Sequence, residues 1–406
     1  MNKYAEYIKE KQTIICLETE NLSRLLSLLS DPQKGMDFIH VTGTNGKGSV
    51  CAFLEKAAAE DGFKVGRFSS PELIEKTECI RVNGENIKEE LFDAAAEEVG
   101  AAADRLEEKP SPFEALFAAA LLIFKREGCA PVIVEVGMGG EGDATNIIEN
   151  TKIEIITKIS PDHTKYLGKT AKEIAGKKAA IIKRDSTAVS AIQEKEAEEV
   201  IRRECELKNA ELFICPPFES LGFEEIYEKI SYGGEELKLS MGGLVQLENA
   251  SLAAKAASLY GISEKSVKAA LSSAKNPARL ENLRENLYFD GAHNPDGAKA
   301  LSESLERYFG EKPKKIVMGV MADKDYRKML GFLNRGQTFF CFVPVRDNPR
   351  SETPGRLLEA AKELGIKNAR AADLKTALAD AGNKSPTIVC GSLYLYKSFL
   401  EELWQI

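Results

Sequence analysis

The residues best suited to chemistry are a lysine and a serine set among three glycines, in the run His40-Val41-Thr42-Gly43-Thr44-Asn45-Gly46-Lys47-Gly48-Ser49. The run follows apolar Phe38-Ile39 and leads into a helix-like segment. A buried strand, a glycine-rich turn and a helix start form a phosphate cradle, because glycines let backbone N–H groups approach an anion and the helix N-terminus is positive. The predicted nucleotide-binding residues are Gly43, Thr44, Asn45, Gly46, Lys47, Gly48 and Ser49.

Within this cradle, we expect Lys47 to reach the outer phosphates and Ser49 to bind Mg²⁺. The spacing departs from the usual phosphate loop, because Gly48 stands between Lys47 and Ser49. An ordinary glycine-rich turn is the alternative, and the flanking strand and helix favour the cradle.

An acid and a histidine occur where metal ligands would be expected. Glu135 interrupts the apolar strand predicted at residues 131–137, and a buried, unpaired carboxylate costs several kcal/mol. A strand-borne acid following a phosphate cradle commonly serves Mg²⁺, although a structural salt bridge would also satisfy it. His163 lies just beyond the strand predicted at 153–157, at the sheet edge where ligands gather, so ligation is favoured over a structural role.

Lys178 is the least expected residue of the helix predicted at 170–183. It shares the apolar face of that helix, whereas Lys177 points about 100° away. Burial lowers the pKa of a lysine, and a neutral amine beside a divalent metal can capture CO₂ as a carbamate ligand. The pattern alone favours a simpler interpretation, in which the lysine stem covers apolar surface.

The composition describes an ordinary globular protein. The 406 residues should form two domains, and 43% hydrophobic with 29% charged residues is typical of soluble chains. The net charge of −8 argues against nucleic acid or an anionic membrane as a partner. The chain shows neither a signal-like apolar segment nor a membrane-spanning run, which predicts a cytoplasmic protein. Eight scattered cysteines without a C-x-x-C pair indicate reduced core thiols.

Apolar periodicity predicts helices at residues 21–29, 89–106, 113–126, 194–207 and 247–259, with further strands at 64–68 and 212–214 and a hairpin turning at Gly233-Gly234. After a boundary at residue 282, strands at 287–289, 316–320, 338–343 and 387–390 alternate with helices. We therefore predict an α/β protein. A large P-loop-type domain with a mostly parallel sheet (1–282) precedes a smaller Rossmann-like domain (283–406). The loop Asp290-Gly291-Ala292-His293-Asn294-Pro295 follows the first strand of the smaller domain.

Taken together, these motifs resemble those of the folylpolyglutamate synthase/dihydrofolate synthase family of the Mur ligases. The resemblance runs from about Leu22 to Leu393, and its motifs occur in the family's order: HVTGTNGKGSV, VEVGMGG with DATN, PDHTKYLG, RLE followed by DGAHNP, MADKD and GSLY. It implies an ATP-dependent ligase that phosphorylates a pterin-linked carboxylate and lets the glutamate amine attack the acyl phosphate. The implied cofactors are ATP and Mg²⁺, and the family suggests a monomer.

The resemblance also implies site residues. Lys47, Lys178, His163 and His293 would be catalytic. ATP would contact the cradle together with Asn249, Arg279 and Asp290, the last two from opposite sides of the domain cleft. The implied metal ligands are Ser49, Ser70, Glu135, His163 and carbamylated Lys178, and the implied substrate residues are Phe113, Glu114, Asp143, Ala144, His293 and Ser392.

Departures from the family cluster on the pterin side. Glu72 stands where SPHL has histidine, Glu141 replaces the arginine of GGRLDATN, and Lys177 replaces the glutamate of EKAG. Val245 replaces a histidine, and a GLER-like segment reads Glu18-Thr19-Glu20-Asn21. Two alternatives therefore stay open: a Mur-type ligase acting on another carboxylate, and a nucleotide-binding relative without turnover.

Overall fold

The computed structural model describes residues 3–9, 19–379, 381–382 and 385–404. By its internal contacts the chain divides into two compact units, Met1–Phe218 with Glu248–Ala274, and Glu219–Leu247 with Lys275–Ile406. The predicted boundary at residue 282 differs from this division and falls inside a strand of the second unit. Cys16 and Glu18 lie outside the described residues.

The first unit is built on an eight-stranded sheet of order β4-β3-β2-β5-β1-β6-β7-β8. Its strands are β1 (Phe38–Thr42), β2 (Gly66–Phe68), β3 (Ile80–Val82), β4 (Glu85–Asn86), β5 (Val132–Glu135), β6 (Thr151–Ile156), β7 (Thr187–Ala191) and β8 (Glu211–Cys215). Six strands run parallel, and β3 and β4 form an antiparallel edge. Central strands β1 and β5 are buried along their whole length, as their apolar runs predict for a sheet covered on both faces.

Helices connect and cover these strands. Up to residue 273 they are α1 (Lys3–Lys9), α2 (Glu20–Leu28), α3 (Lys47–Glu60), α4 (Glu89–Ala103), α5 (Pro112–Glu127), α6 (Thr164–Leu167), α7 (Ala171–Ala179), α8 (Lys195–Lys208), α9 (Gln246–Tyr260) and α10 (Glu264–Ser273). Because β1, β2, β5 and β6 are parallel, their carboxyl ends meet at one edge, where the loops after Thr42, Phe68, Glu135 and Ile156 begin. This edge gathers the predicted phosphate and metal residues.

The second unit contains two sheets. A six-stranded sheet has the order β12-β13-β17-β14-β15-β16, parallel except for the β12–β13 pair, and a three-stranded antiparallel sheet has the order β11-β10-β9. The strands are β9 (Gly222–Glu224), β10 (Tyr227–Tyr232), β11 (Glu235–Lys238), β12 (Glu281–Arg284), β13 (Leu287–Phe289), β14 (Lys314–Met318), β15 (Thr338–Phe342), β16 (Ala369–Ala371) and β17 (Thr387–Cys390). The helices are α11 (Pro295–Phe309), α12 (Tyr326–Leu333), α13 (Pro354–Glu363), α14 (Leu374–Leu378) and α15 (Leu395–Leu403).

Residues 219–247 belong to the second unit because a buried charge joins them to α11. Glu228 is fully buried on β10 and accepts hydrogen bonds from Arg307 Nε at 2.6 Å and from the Tyr308 hydroxyl at 2.9 Å. A carboxylate without these donors would be costly in such a place. Ile226 extends the attachment into the apolar core of the same unit.

The predicted fold class is confirmed: the chain is α/β, with a large, mostly parallel sheet and a second, smaller one. The seven cysteines among the described residues are buried free thiols, as expected. In the described part of the chain, we find no helix with the length and apolar character that crossing a bilayer requires.

Candidate active site

Two glycines set the shape of the loop between β1 and α3. Gly43 has φ 143°, and a Cβ there would lie 1.8 Å from Thr157 Oγ1. Gly46 is the left-handed N-cap of α3 with φ 94°, and its Cβ would lie 2.3 Å from Asn249 Oδ1. Any residue with a Cβ would therefore meet both a strained backbone and a close neighbour at these two positions. The backbone of the loop leads into the N-terminus of α3, which is the geometry of a phosphate cradle, and the Asn249 side chain lies beside Gly46.

Threonine side chains brace the loop. Thr157 Oγ1 donates to Asn45 O at 2.6 Å, and Thr44 Oγ1 donates to Ser160 O at 2.8 Å. The Thr44 backbone N–H donates to Lys158 O at 2.9 Å. The loop after β6 thus holds the loop after β1. Sequence reasoning missed Thr157, whose position directly after a buried strand was the available signal.

Two lysines converge on one carbonyl of the cradle. Lys178 Nζ donates to Gly43 O at 2.6 Å, and Lys47 Nζ lies 3.4 Å from Gly43 O and 3.4 Å from Thr44 O. Lys178 is buried, with 4% of its surface exposed, on α7. Burial first, and the neighbouring Lys47 charge second, lower the pKa of Lys178 to about 7. The face predicted for Lys178 from helical spacing is therefore confirmed, and Lys177 points outward to Glu141.

The four other predicted metal ligands lie in the same unit, at the end of a strand, at the start of a helix or on a loop. Glu135 ends β5 and is buried, with 6% exposure, while Ser49 is buried in the first turn of α3. Ser70 lies two residues beyond β2, which pairs with β5 through Phe68 and Val134. His163 is the left-handed N-cap of α6, with 43% of its side chain exposed, and its Nε2 lies 3.9 Å from Asp162 Oδ2.

The donor chemistry of this set suits a metal that is shared with phosphate. Among the described residues, we find no cluster of three His, Cys, Asp or Glu side chains that could enclose a metal ion. Serine hydroxyls and a single buried carboxylate instead match Mg²⁺, which keeps water and phosphate oxygens among its ligands and takes few from protein. These residues fit an ion bound together with a nucleotide.

Three of the predicted substrate residues, Phe113, Asp143 and Ala144, lie together beside the loop after β5. A Cβ built on Gly137 would lie 2.8 Å from Phe113 Cζ and 3.2 Å from Asp143 Oδ2, so the ring and the carboxylate flank the same point. Asp143 caps a 3₁₀ turn over Ala144–Ile147, and its buried side chain accepts from Met138 N at 2.7 Å and Thr145 N at 3.0 Å. Ala144 is buried in that turn.

Glu114 has a structural partner. It is the third residue of α5 and forms a capping box, in which Ser111 N donates to Glu114 Oε2 at 2.8 Å and Glu114 N donates to Ser111 Oγ at 3.3 Å. Its other oxygen, Oε1, is buried without a hydrogen-bond partner in the part of the chain that the structure describes. Glu114 therefore starts the helix that carries Phe113.

In the second unit, Asp290 and Arg279 belong to one local structure. Asp290 follows β13, and its carboxylate accepts from Leu280 N at 2.8 Å and Ala292 N at 2.8 Å. Burial raises the pKa of Asp290, an effect that the Arg279 guanidinium opposes most strongly. The expectation that these two residues lie on opposite sides of a domain cleft is wrong, because the antiparallel β12–β13 pair brings both into the same unit.

The two residues implied near glutamate also lie in the second unit, on loops that follow adjacent strands. His293 follows β13, and its Nδ1 donates to Gly291 O at 2.9 Å, which places a proton on Nδ1 because a carbonyl only accepts. Ser392 follows β17, which pairs with β13, and it is buried and accepts from Tyr394 N at 3.2 Å. Gly391 N donates to Ala292 O at 2.9 Å and ties the two loops together.

Two of the departures from the family pattern compensate each other. Glu141 and Lys177 form an ion pair, and Glu141 N also donates to Lys177 O at 2.8 Å. The chain thus carries an acid where the family has a base and a base where it has an acid, on the two sides of one contact. Glu72 likewise pairs with Lys76 at 3.0 Å. Glu141 and Glu72 therefore each have a basic partner in this chain.

Comparison with known protein families finds two matches in this chain. Residues 41–257 match the Mur ligase middle domain, and residues 278–393 match the Mur ligase glutamate ligase domain. Together they include the cradle, Lys178, the Asp143 turn and the loops that carry Asp290 and Ser392.

Individual relatives align over nearly the whole chain. A dihydrofolate synthase/folylpolyglutamate synthase of Bacillus subtilis is 32% identical, with 94% of each chain covered. A protein of the same description from Escherichia coli is 32% identical, covering 89% of this chain and 85% of its own.

Solved structures extend the likeness to the fold. Mycobacterium tuberculosis folylpolyglutamate synthase, complexed with ADP and AMPPCP, superposes with a TM-score of 0.87 at 28% identity, covering 94% of each chain. Escherichia coli FolC in complex with DHPP and ADP gives a TM-score of 0.87 at 29% identity, covering 99% of this chain and 97% of that one.

Proposed function

We propose, because this chain belongs to the folylpolyglutamate synthase/dihydrofolate synthase family of ATP-dependent Mur ligases, that it joins L-glutamate to a folate-type carboxylate through an acyl phosphate. The observation that carries the proposal is the buried amine of Lys178, which lies 2.6 Å from the Gly43 carbonyl at the cradle. A lysine placed there at the cost of its hydration needs a function at the phosphate end of the nucleotide.

Lys178 is suited to become a carbamate. With its pKa at about 7, a large fraction of the amine is neutral at physiological pH and can attack CO₂. Forming the N–C bond from the neutral amine releases one proton, and starting from the ammonium form releases two, so that a cationic side chain becomes an anionic oxygen donor. In the proposed working enzyme, Lys178 thus supplies negative charge to the metal site, and the Gly43 contact orients its side chain.

Lys47 and the cradle would bind the triphosphate. Lys47 begins α3 at the positive end of the helix dipole, and the backbone of the Gly43–Ser49 loop leads into the same helix end. We assign Asn249, beside Gly46, to the nucleotide as well. Arg279 and Asp290 are proposed as further ATP contacts from the second unit.

Ser49, Ser70, Glu135, His163 and the Lys178 carbamate would hold Mg²⁺. Bound there, Mg²⁺ would offset the negative charge that gathers between ATP and the acceptor carboxylate. The buried carboxylate of Glu135 is the one acidic side chain in this set, and its position at the end of β5 holds it rigidly at the sheet edge.

The acceptor would lie against Phe113 and the Asp143 turn. The Phe113 ring offers a flat apolar face, and the buried Asp143 carboxylate fixes the loop and the turn beside it. Such a face suits a flat ring such as a pterin. His293 and Ser392 are proposed for the incoming glutamate. We further propose a cytoplasmic monomer that works on small molecules and has neither nucleic acid nor membrane as a partner.

Replacing Lys47 with alanine tests the proposal. Glutamate-dependent ADP release by Lys47→Ala should fall by more than about 100-fold, because the outer phosphates lose their positioned cation. Lys56→Ala, on the same helix in an exposed ion pair with Glu60, is the matched control and should retain near-normal turnover. Unchanged turnover in Lys47→Ala would refute the role given to the cradle.

A further inference from the structure

A histidine lies buried in the centre of β1. His40 is completely buried between the apolar residues Ile39 and Val41. Its Nε2 lies 2.9 Å from Thr145 Oγ1, and its Nδ1 has no hydrogen-bond partner within the described ranges. An unsatisfied buried nitrogen destabilises the fold, and valine or isoleucine would suit a central strand better. The histidine is thus explained by its bond to Thr145.

The bond to Thr145 is one step of a buried chain that ends on Asp143. Thr145 Oγ1 donates to Asp143 Oδ1 at 2.5 Å. A hydroxyl has one proton, and Thr145 donates it to the carboxylate. The Thr145 oxygen therefore accepts from His40, which must carry its proton on Nε2. The three groups form a chain of hydrogen bonds with one direction, here called the relay: His40 donates to Thr145, and Thr145 donates to Asp143.

Both oxygens of Asp143 are held from the protein side. Oδ1 accepts the Thr145 hydroxyl and Thr145 N, and Oδ2 accepts Met138 N at 2.7 Å. The carboxylate therefore fixes the start of the loop after β5 to the 3₁₀ turn, beside the Phe113 ring. Lys183 secures the end of that turn by donating to Asn146 O at 2.9 Å and Asn146 Oδ1 at 2.8 Å.

We infer that His40 and Thr145 are positioning residues for the acceptor site. They fix the Asp143 carboxylate and the loop that it holds, and a flat heteroaromatic acceptor packs between this loop and the Phe113 ring. This inference rests on the proposed function, which places the acceptor there. Binding of the acceptor should depend on the relay, whereas nucleotide binding at the Gly43–Ser49 loop should not, since Thr44 and Thr157 brace that loop independently.

Steady-state kinetics of two variants of Thr145 test the inference. Thr145→Val keeps the shape of the side chain and removes the hydroxyl, and it should raise the KM for the pterin acceptor about tenfold while changing the KM for ATP less than twofold. Thr145→Ser restores the hydroxyl and should return the acceptor KM to within about threefold of the parent. Thr151→Val is the matched control, because Thr151 is another buried threonine of this sheet whose hydroxyl has no hydrogen-bond partner in the described part of the chain.

The same comparison can be made from the other end of the relay. His40→Gln keeps a donor at similar reach and His40→Leu removes it, so only the second should raise the acceptor KM. If Thr145→Val does not fold, the His40 pair decides. An unchanged acceptor KM in the donor-free variants, or an equal rise in the KM for ATP, would overturn the relay. Failure of the parent enzyme to turn over any pterin would instead refute the proposed function.

Discussion

Replacing Lys178 probes the most unusual group of the site. At pH 7, a lysine of pKa 10.5 is neutral in about one molecule in 3000, whereas a pKa of about 7 makes about half of the amines neutral. The fold thus raises the amount of reactive amine by about three orders of magnitude. Burial supplies most of this shift, because Lys178 is 4% exposed.

We expect Lys178→Ala to lower kcat more than about 100-fold, with partial recovery on addition of a small carboxylate such as formate or acetate. The assay is glutamate-dependent ADP release over a range of carboxylate concentrations. Lys177→Ala, the adjacent residue on the exposed face of α7, should stay within about threefold of the parent. Full activity in Lys178→Ala, or a fall in activity that no carboxylate restores in a folded protein, would refute the carbamate.

Three further perturbations test other parts of the account. Gly46→Ala should raise the KM for ATP about tenfold or more with little effect on the KM for glutamate, because alanine meets both a φ of 94° and Asn249; equal changes in both constants would contradict this. Burial raises the pKa of Glu154 to about 8, so the folded state retains a proton that the unfolded chain releases above pH 4.5. Between pH 4 and pH 9, the free energy of unfolding of the parent, measured by urea titration, should fall by up to about 5 kcal/mol relative to that of Glu154→Gln. Parallel pH profiles of the two proteins would exclude the raised pKa. Glu141→Lys should destabilise the fold by less than about 1 kcal/mol and the double variant with Lys177→Glu should regain it, whereas additive losses would show that the pair is not coupled.

Local pattern was sufficient for most of the elements that carry the site. The predicted strands 287–289 and 387–390 coincide with β13 and β17, and the apolar runs around the cradle and Glu135 became β1 and β5. These segments are short, apolar and bounded by glycine, proline or charged residues, so their burial in a parallel sheet follows directly.

Elements that depend on distant partners escaped prediction. β7 has the composition Thr-Ala-Val-Ser-Ala, which lacks large apolar residues, and it is a strand because β6 and β8 pair with it on both sides. Residues 219–247 join the second unit through Glu228 and Arg307, which are 79 positions apart. No periodicity in either segment reports such contacts.

The site shows the same division. Helical spacing places Lys178 on a buried face, but the carbonyl that it contacts lies 135 residues earlier. The bond from His40 to Thr145 spans 105 residues and is likewise invisible in the sequence. Glu141 and Lys177 each depart from the family pattern and are far apart in the sequence. Only the structure shows that their opposite charges form an ion pair.

The most direct test of the central claim is ADP release by the purified protein with Mg²⁺, ATP and glutamate, run in parallel with dihydropteroate, with tetrahydrofolate and with neither, and with the amide product identified by mass. We predict pterin-dependent turnover in which each ADP accompanies one added glutamate. Turnover with dihydropteroate would establish the synthase step, and turnover with tetrahydrofolate alone would define a dedicated chain extender. ADP release that no pterin stimulates, in a protein that still binds ATP, would contradict the account.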